Sequence, residues 1–330
     1  MQSRTKRQLS PGELDALLRG SFGSGCRLER ELTGGWFNTA YQVRLDDGRP
    51  AVVKLAPPAG AAVLRYERGI LAAEAMAYRR LAELPAGAVP TAELLHAGEE
   101  FLLLSVLEGE PWDQAGDRIH ADAQPQLRRD LGAITARLNT VAPRDGRFGY
   151  PAAQSELSAP DWRSAFTAMV DAVLDDAERW RSPLDVPPAD LRALVREGGY
   201  ALDEVTEPRL VHFDLWPGNV FVHPGGDGRP ARITGLIDHE RAFWGDPAAE
   251  LVSLAFGGDA GPDSDLVAGY TGAGGTLDFS SAFRHRLALY QLYLGLLLVV
   301  ECGPRGFGAD HLAFCRRFLA EAVRHSRKHS

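Results

Sequence analysis

The sequence predicts an α+β fold of two lobes: an N-terminal lobe built on an antiparallel sheet with one long helix, and a mainly helical C-terminal lobe. Three observations carry this reading. Short apolar runs separated by glycine and aspartate turns recur before position 107. A single long Ala-rich helical pattern interrupts them at 63–84. Beyond Gly109 and Pro111 the apolar residues recur at helical spacing. The division is placed at 107/108, giving lobes of residues 1–107 and 108–330 joined near Ser105 to Glu110. A chain of 330 residues is long enough for each lobe to bury its own core.

The elements follow in order. Residues 11–20 read as a short opening helix. Residues 26–33 and 40–45 read as strands around a Gly-Gly turn, and Asp46-Asp47-Gly48 is a hairpin signal leading to a strand at 50–55. Pro85 to Pro90 ends the long helix, and strands follow at 92–96 and 101–107. In the second lobe, helices are expected at 124–140, 160–180, 188–206, 248–257, 263–271, 279–303 and 309–326. A strand-and-loop insert at 209–222 and 231–238 separates the third of these from the fourth.

Composition narrows the function classes. The apolar fraction of 45% and charged fraction of 24% are those of an ordinary globular protein. The net charge of −8 argues against a nucleic-acid partner. The balance is +1 over residues 1–107 and −9 over 108–330, so the second lobe suits a cationic partner or simply carries an acidic surface. Three cysteines (Cys26, Cys302 and Cys315), without metal-site spacing, suggest a reducing compartment. The start of the chain has no signal-peptide pattern, and the longest apolar run, Leu292 to Val300, is too short to span a bilayer. The expected location is cytoplasmic, without a membrane partner; the oligomeric state is not readable.

Chemistry concentrates in His212-Phe213-Asp214-Leu215-Trp216-Pro217-Gly218-Asn219. Phosphoryl transfer to a hydroxyl needs a carboxylate beside the attacking oxygen and oxygen ligands for a phosphate-bridging magnesium. The pattern H-x-D-x-x-x-x-N supplies both, with Asp214 as catalytic residue and Asn219 as metal ligand. A hairpin then leads through Gly235-Leu236-Ile237 to Asp238, a strand-end carboxylate where a second metal ligand is needed. A helix N-cap or turn aspartate is the competing reading of Asp238.

The chain has only three lysines, and Lys54 is the one away from the termini. In the strand Ala51-Val52-Val53-Lys54-Leu55 it is placed to reach ATP phosphates if a glutamate holds it. Glu67 and Glu74 are the candidates, and Glu74 shares a helical face with Ala77, Tyr78 and Leu81. Gly35, in the turn Thr33 to Ala40, is expected to cover phosphates through backbone N–H groups. Ser105 and Leu107 are expected to set backbone groups beside the adenine.

With these residues in view, the chain resembles the aminoglycoside phosphotransferase and fructosamine kinase superfamily of small-molecule kinases. The similarity is strongest at His212 to Val220 and at Gly235 to Pro247, where Gly245-Asp246-Pro247 follows the metal aspartate. The Leu-Trp-x-Gly-Asn portion resembles the fructosamine kinase branch. The resemblance implies a bilobal protein-kinase-like fold, ATP and Mg2+ as cofactors, and a small-molecule acceptor. It implies that Asp214 acts as base or orients the hydroxyl, that Asn219 and Asp238 bind magnesium, and that Lys54 pairs with Glu74. It also implies that His212 and Asp246 brace the site. The family usually has glycine where Phe213 stands, so the loop is expected to be reshaped or the acceptor site narrowed. An amino sugar or aminoglycoside is the first reading of the acceptor, a ketosamine the second; a non-catalytic nucleotide-binding protein is the alternative of another class.

Overall fold

The computed structural model describes residues 5–35, 37–226 and 228–329. Helix α1 (Pro11–Ser21) begins where its capping signal stands. The Glu13 N–H donates to the Ser10 hydroxyl, the Ser10 N–H donates to the Glu13 carboxylate, and Pro11 occupies the first turn. Five strands follow: β1 (Cys26–Leu32), β2 (Thr39–Leu45), β3 (Pro50–Leu55), β4 (Leu94–Ala97) and β5 (Phe101–Ser105). They form one antiparallel sheet in the order β1-β2-β3-β5-β4.

The two-residue period of β3 sorts its side chains. Ala51, Val53 and Leu55 pack with Leu14 and Leu18 of α1 on one face. Val52 and Lys54 therefore lie on the other face, toward helix α2 (Ile70–Leu81). That helix is shorter than the expected 63–84. Arg65–Glu67 forms a 3-10 turn, and Gly69 at φ 73° turns the chain before the α-helix can start.

After β5 the chain leaves the large sheet. Strand β6 (Glu110–Pro111) pairs with β10 (Val220–His223), which pairs with β11 (Arg232–Leu236). A second small sheet orders β8 (Ser158–Ala159), β7 (Phe148–Gly149), β12 (Phe243–Gly245) and β9 (Arg209–Val211). The rest is helical: α3 (Trp112–Ala115), α4 (Gln124–Leu138), α5 (Trp162–Trp180), α6 (Pro188–Glu197), α7 (Gly199–Leu202), α8 (Glu250–Leu254), α9 (Asp265–Gly272), α10 (Ser281–Arg305) and α11 (Ala309–His329). The helix expected at 188–206 is two helices, broken at Gly198-Gly199. Helix α10 is long and apolar enough to cross a membrane, which the nine-residue run alone did not reveal. Its most apolar window is 78% buried within the fold, so packing accounts for its composition.

An aromatic core backs the catalytic-type loop. Trp162 and Phe166 are buried against Tyr290, and Trp162 also stacks on Phe243, at 5.7 Å. This places the pair in the core. The Trp162 indole N–H donates to the Tyr290 hydroxyl (2.8 Å), which donates to Asp246 (2.7 Å). Arg286 also binds Asp246 (2.9 Å), so the aspartate of Gly245-Asp246-Pro247 braces β12 against α10.

Phe213 sits at φ 62°, the left-handed region that favours glycine. Its ring is fully buried between Phe243 (5.2 Å) and Tyr293 (5.7 Å). The expected narrowing of the acceptor site by this side chain does not occur, because the ring turns into the core. Backbone strain of about 1–2 kcal/mol is set against the burial of a whole phenyl group. Phe213→Gly is expected to lose about 2–4 kcal/mol of stability, because the vacated ring volume outweighs the relieved strain. Denaturant unfolding measures this, and an unchanged or raised midpoint would reverse the balance.

Candidate active site

Lys54 Nζ lies among three carboxylates. Glu74 is 2.7 Å away and Glu240 3.0 Å away, and Asp238 makes a short contact. Three elements converge here: β3 supplies the cation, α2 supplies Glu74, and the end of β11 leads to Asp238 and Glu240. Burial works against the ammonium charge, but Asp238, Glu240 and Glu74 together hold the Lys54 pKa well above its ordinary value. Burial opposes ionisation of Asp238 as well, yet the Lys54 charge holds its carboxyl below the usual range. Of the two glutamates on the α2 side, Glu74 takes the lysine. Glu67 instead pairs with Arg305 at 2.7 Å.

Asp238 adopts φ 66°, ψ 53°, and its side chain makes no capping hydrogen bond to the 3-10 turn His239–Arg241. Asp238 therefore occupies the turn position without capping it through its side chain. An aspartate tolerates this conformation better than a bulky residue, and the turn aims its carboxylate at Lys54.

The loop after β9 is held from behind. Glu250, at the start of α8, accepts the N–H groups of His212 and Phe213. Burial pushes its carboxyl up to about 7. His212 Nε2 donates to the Ile237 carbonyl (3.0 Å), and His212 Nδ1 accepts from the Asp214 N–H (3.3 Å). These two bonds fix one neutral tautomer, and burial lowers the imidazole pKa to about 4. His212 thus ties the Asp214 loop to the strand that ends at Asp238.

Asn219 Nδ2 donates to the Asp214 carbonyl (2.9 Å) and to Asp214 Oδ2 (3.1 Å). Both bonds use the amide nitrogen, which leaves the amide oxygen for a cation. Burial pushes the Asp214 carboxyl up to about 6, against the attraction of Arg241 at 3.5 Å.

Several members of the site were not singled out from sequence. Arg241 reaches from Asp214 to Glu301 (2.9 Å), which also binds Arg305 (2.8 Å) and accepts from the Tyr66 hydroxyl (2.6 Å). Asn38 donates to Glu240 (2.8 Å), linking the β1–β2 turn to the cluster. Gly35 lies in that turn, and Trp36 beside it lies outside the described residues. Leu107 packs over Gly235 on β11, against the strand that leads to Asp238. Ser105 is turned elsewhere: its N–H and its hydroxyl both bond to the Glu93 backbone on the β4 side.

Magnesium is the implied metal, and the donor set fits it. Glu74, Asp238 and Glu240 present oxygens within 4.8 Å of one another around the Lys54 ammonium, and Asp238 with the Asn219 amide oxygen are the donors that would hold a metal. Among the described residues, the six carboxyl groups of Glu67, Glu74, Asp214, Asp238, Glu240 and Glu301 pair with Lys54, Arg241 and Arg305 in this network. All-oxygen ligands suit a hard divalent cation. Asp238 and Asp214 are the accessible members, with side chains 29% and 19% exposed against 7% for Glu240.

Comparisons with known proteins bear on the family and the fold. The model of a phosphotransferase enzyme family, APH, matches residues 29–288. A probable ketoamine kinase of Klebsiella aerogenes is 28% identical over 117 residues, which cover 36% of this chain and 35% of that protein; the match thus spans about a third of the relative. Among solved structures, a putative fructosamine-3-kinase of Thermobifida fusca superposes with TM-score 0.68 at 20% identity, covering 97% of this chain and 100% of that one. A thermostable mutant of the aminoglycoside phosphotransferase APH(4)-Ia, in a ternary complex with AMP-PNP and hygromycin B, gives TM-score 0.62 at 19% identity, covering 94% and 98%. A type I macrolide 2'-phosphotransferase gives 0.59 at 18%, covering 95% and 98%. At these identities the structures speak for the fold, which is the bilobal protein-kinase-like one. The family match spans most of the chain, and the chain belongs to the APH phosphotransferase enzyme family.

Proposed function

We propose that this phosphotransferase moves the γ-phosphate of ATP, with Mg2+, to a hydroxyl of a small polar, cationic molecule, an amino sugar or aminoglycoside. The observation that carries this reading is the convergence of Lys54, Asp238, Asn219 and Asp214 in one ion-pair and hydrogen-bond network, with Asp238 and Asp214 its accessible members. Lys54, held by Glu74, faces the nucleotide phosphates, and Asn219 and Asp238 hold the metal. Bound magnesium supplies the positive charge that offsets the phosphates during transfer. Asp214 orients the acceptor hydroxyl and takes its proton, with Arg241 and Asn219 fixing its two oxygens. Gly35 and Leu107 border the nucleotide. Ser105 enters only through its carbonyl, because its N–H and hydroxyl are engaged with Glu93. In this reading residues 1–107 hold the nucleotide and 108–330 the acceptor. The acidic balance of residues 108–330 supports a cationic acceptor. The free cysteines fit a cytoplasmic setting.

A second reading is a ketosamine kinase. The Leu215-Trp216-Pro217-Gly218-Asn219 segment, the ketoamine kinase relative and the fructosamine-3-kinase likeness support it. Both acceptors are amine-bearing sugars, so one screen separates them.

ATP consumption is expected with at least one member of a panel of aminoglycosides, amino sugars and ketosamines, with a product heavier by one phosphoryl group. Turnover on amino sugars alone would reject the ketosamine reading, and the reverse would reject the first. Asp214→Asn is expected to lower kcat by about 10²–10⁴-fold, the range of a lost general base, while nucleotide still binds. Unchanged turnover in that variant would overturn the role given to Asp214.

A further inference from the structure

A second cluster of ligating side chains lies away from Lys54 and Asp238, at the junction of α10 and α11. Helix α10 ends at Arg305, and Gly306 at φ 70° turns the chain so that α11 starts at Ala309 and runs back along it. Cys302, one turn before the end of α10, therefore faces the first turns of α11. There His311 and Cys315 stand four residues apart, on one helical face. The two thiol sulfurs and an imidazole nitrogen lie within 4.8 Å of one another. Cys302 and Cys315 are free and buried, whereas His311 is exposed and opens the cluster to solvent.

We infer that Cys302, His311 and Cys315 form a zinc site that joins the end of α10 to the start of α11. A tetrahedral zinc with Zn–S near 2.3 Å and Zn–N near 2.0 Å sets its ligand atoms roughly 3.5–3.8 Å apart, within reach of this cluster. Two thiolates and one imidazole are the soft and borderline donors that select zinc over magnesium. The all-oxygen set around Asp238 has the opposite preference. On binding, Cys302 and Cys315 each release a proton, the Cys302 hydrogen bond to the Leu298 carbonyl (3.1 Å) is given up, and the ion's charge is neutralised by two thiolates. Water completes the coordination on the His311 side. The Phe307 ring meets the His311 ring edge-on at 4.6 Å and steadies it over the turn.

The site was not legible from cysteine spacing. No C-x-x-C pair exists, and the third ligand is a histidine brought in by the helical hairpin.

The test uses the full chain, reduced and metal-free, with excess magnesium to occupy the carboxylate site. Cobalt(II) titration is expected to give one equivalent bound, with thiolate-to-cobalt charge-transfer absorption and tetrahedral d–d bands, and zinc is expected to displace it. Zinc is also expected to raise the thermal midpoint. Cys302→Ser and Cys315→Ser are expected to weaken binding by at least about 100-fold, the upper end of what outer-shell partners cost. His311→Asn, at an exposed position, is expected to do the same while folding normally. Absence of the thiolate absorption, equal binding in all three variants, or closure of Cys302 and Cys315 into a disulfide with no metal uptake would each overturn the assignment.

Discussion

The Lys54 ammonium, held between Glu74, Asp238 and Glu240, is the constraint on which the rest of the site depends. There the large sheet, helix α2 and the end of β11 meet through charge. Such a buried cluster adds little net stability, because desolvating the charges offsets most of their attraction. Removing one member is costly, since it strands the others. The arrangement therefore acts by position. The register of β3 puts Lys54 on the α2 face, the helix puts Glu74 opposite, and the left-handed turn at Asp238 brings the third partner.

The same logic extends to Asp214. Its loop departs from regular structure, so its backbone donors need partners. Glu250 takes the N–H groups of His212 and Phe213, Ser253 takes that of Leu215, and His212 carries the connection on to Ile237. Two residues with positive φ, Phe213 and Asp238, sit on either side of this bracing. Each stores a little strain that surrounding contacts hold in place, an arrangement common at functional sites. The Arg241–Glu301–Arg305–Glu67 chain continues from Asp214 to the loop before α2, behind the site.

Much of this was legible in the sequence, for physical reasons that differ by residue. Lys54 stood out because arginine supplies nearly all other positive charge. Glu74 followed from helical periodicity, and Asp238 from a strand running into a carboxylate. Glu240 and Arg241 were not assignable, because the turn His239–Arg241 decides where each side chain points and sequence does not. Glu301 and Arg305 join Arg241 and Glu67 across most of the chain's length, and no local pattern encodes such a pairing. Strands β7, β8 and β12 span two or three residues, too few to show a period. At Phe213 the departure from glycine was visible, but only packing shows that its ring enters the core and not the cleft.

Binding of ATP, measured by calorimetry with and without magnesium, tests most directly whether the Lys54 cluster is a nucleotide-phosphate site. One equivalent is expected to bind in the presence of magnesium. Binding is expected to weaken about 10–100-fold in Lys54→Met, the loss of a charge-assisted contact, with the fold verified by circular dichroism. ATP binding that ignores both magnesium and Lys54, or no binding at all in the folded protein, would contradict the account and leave a non-catalytic relative in its place.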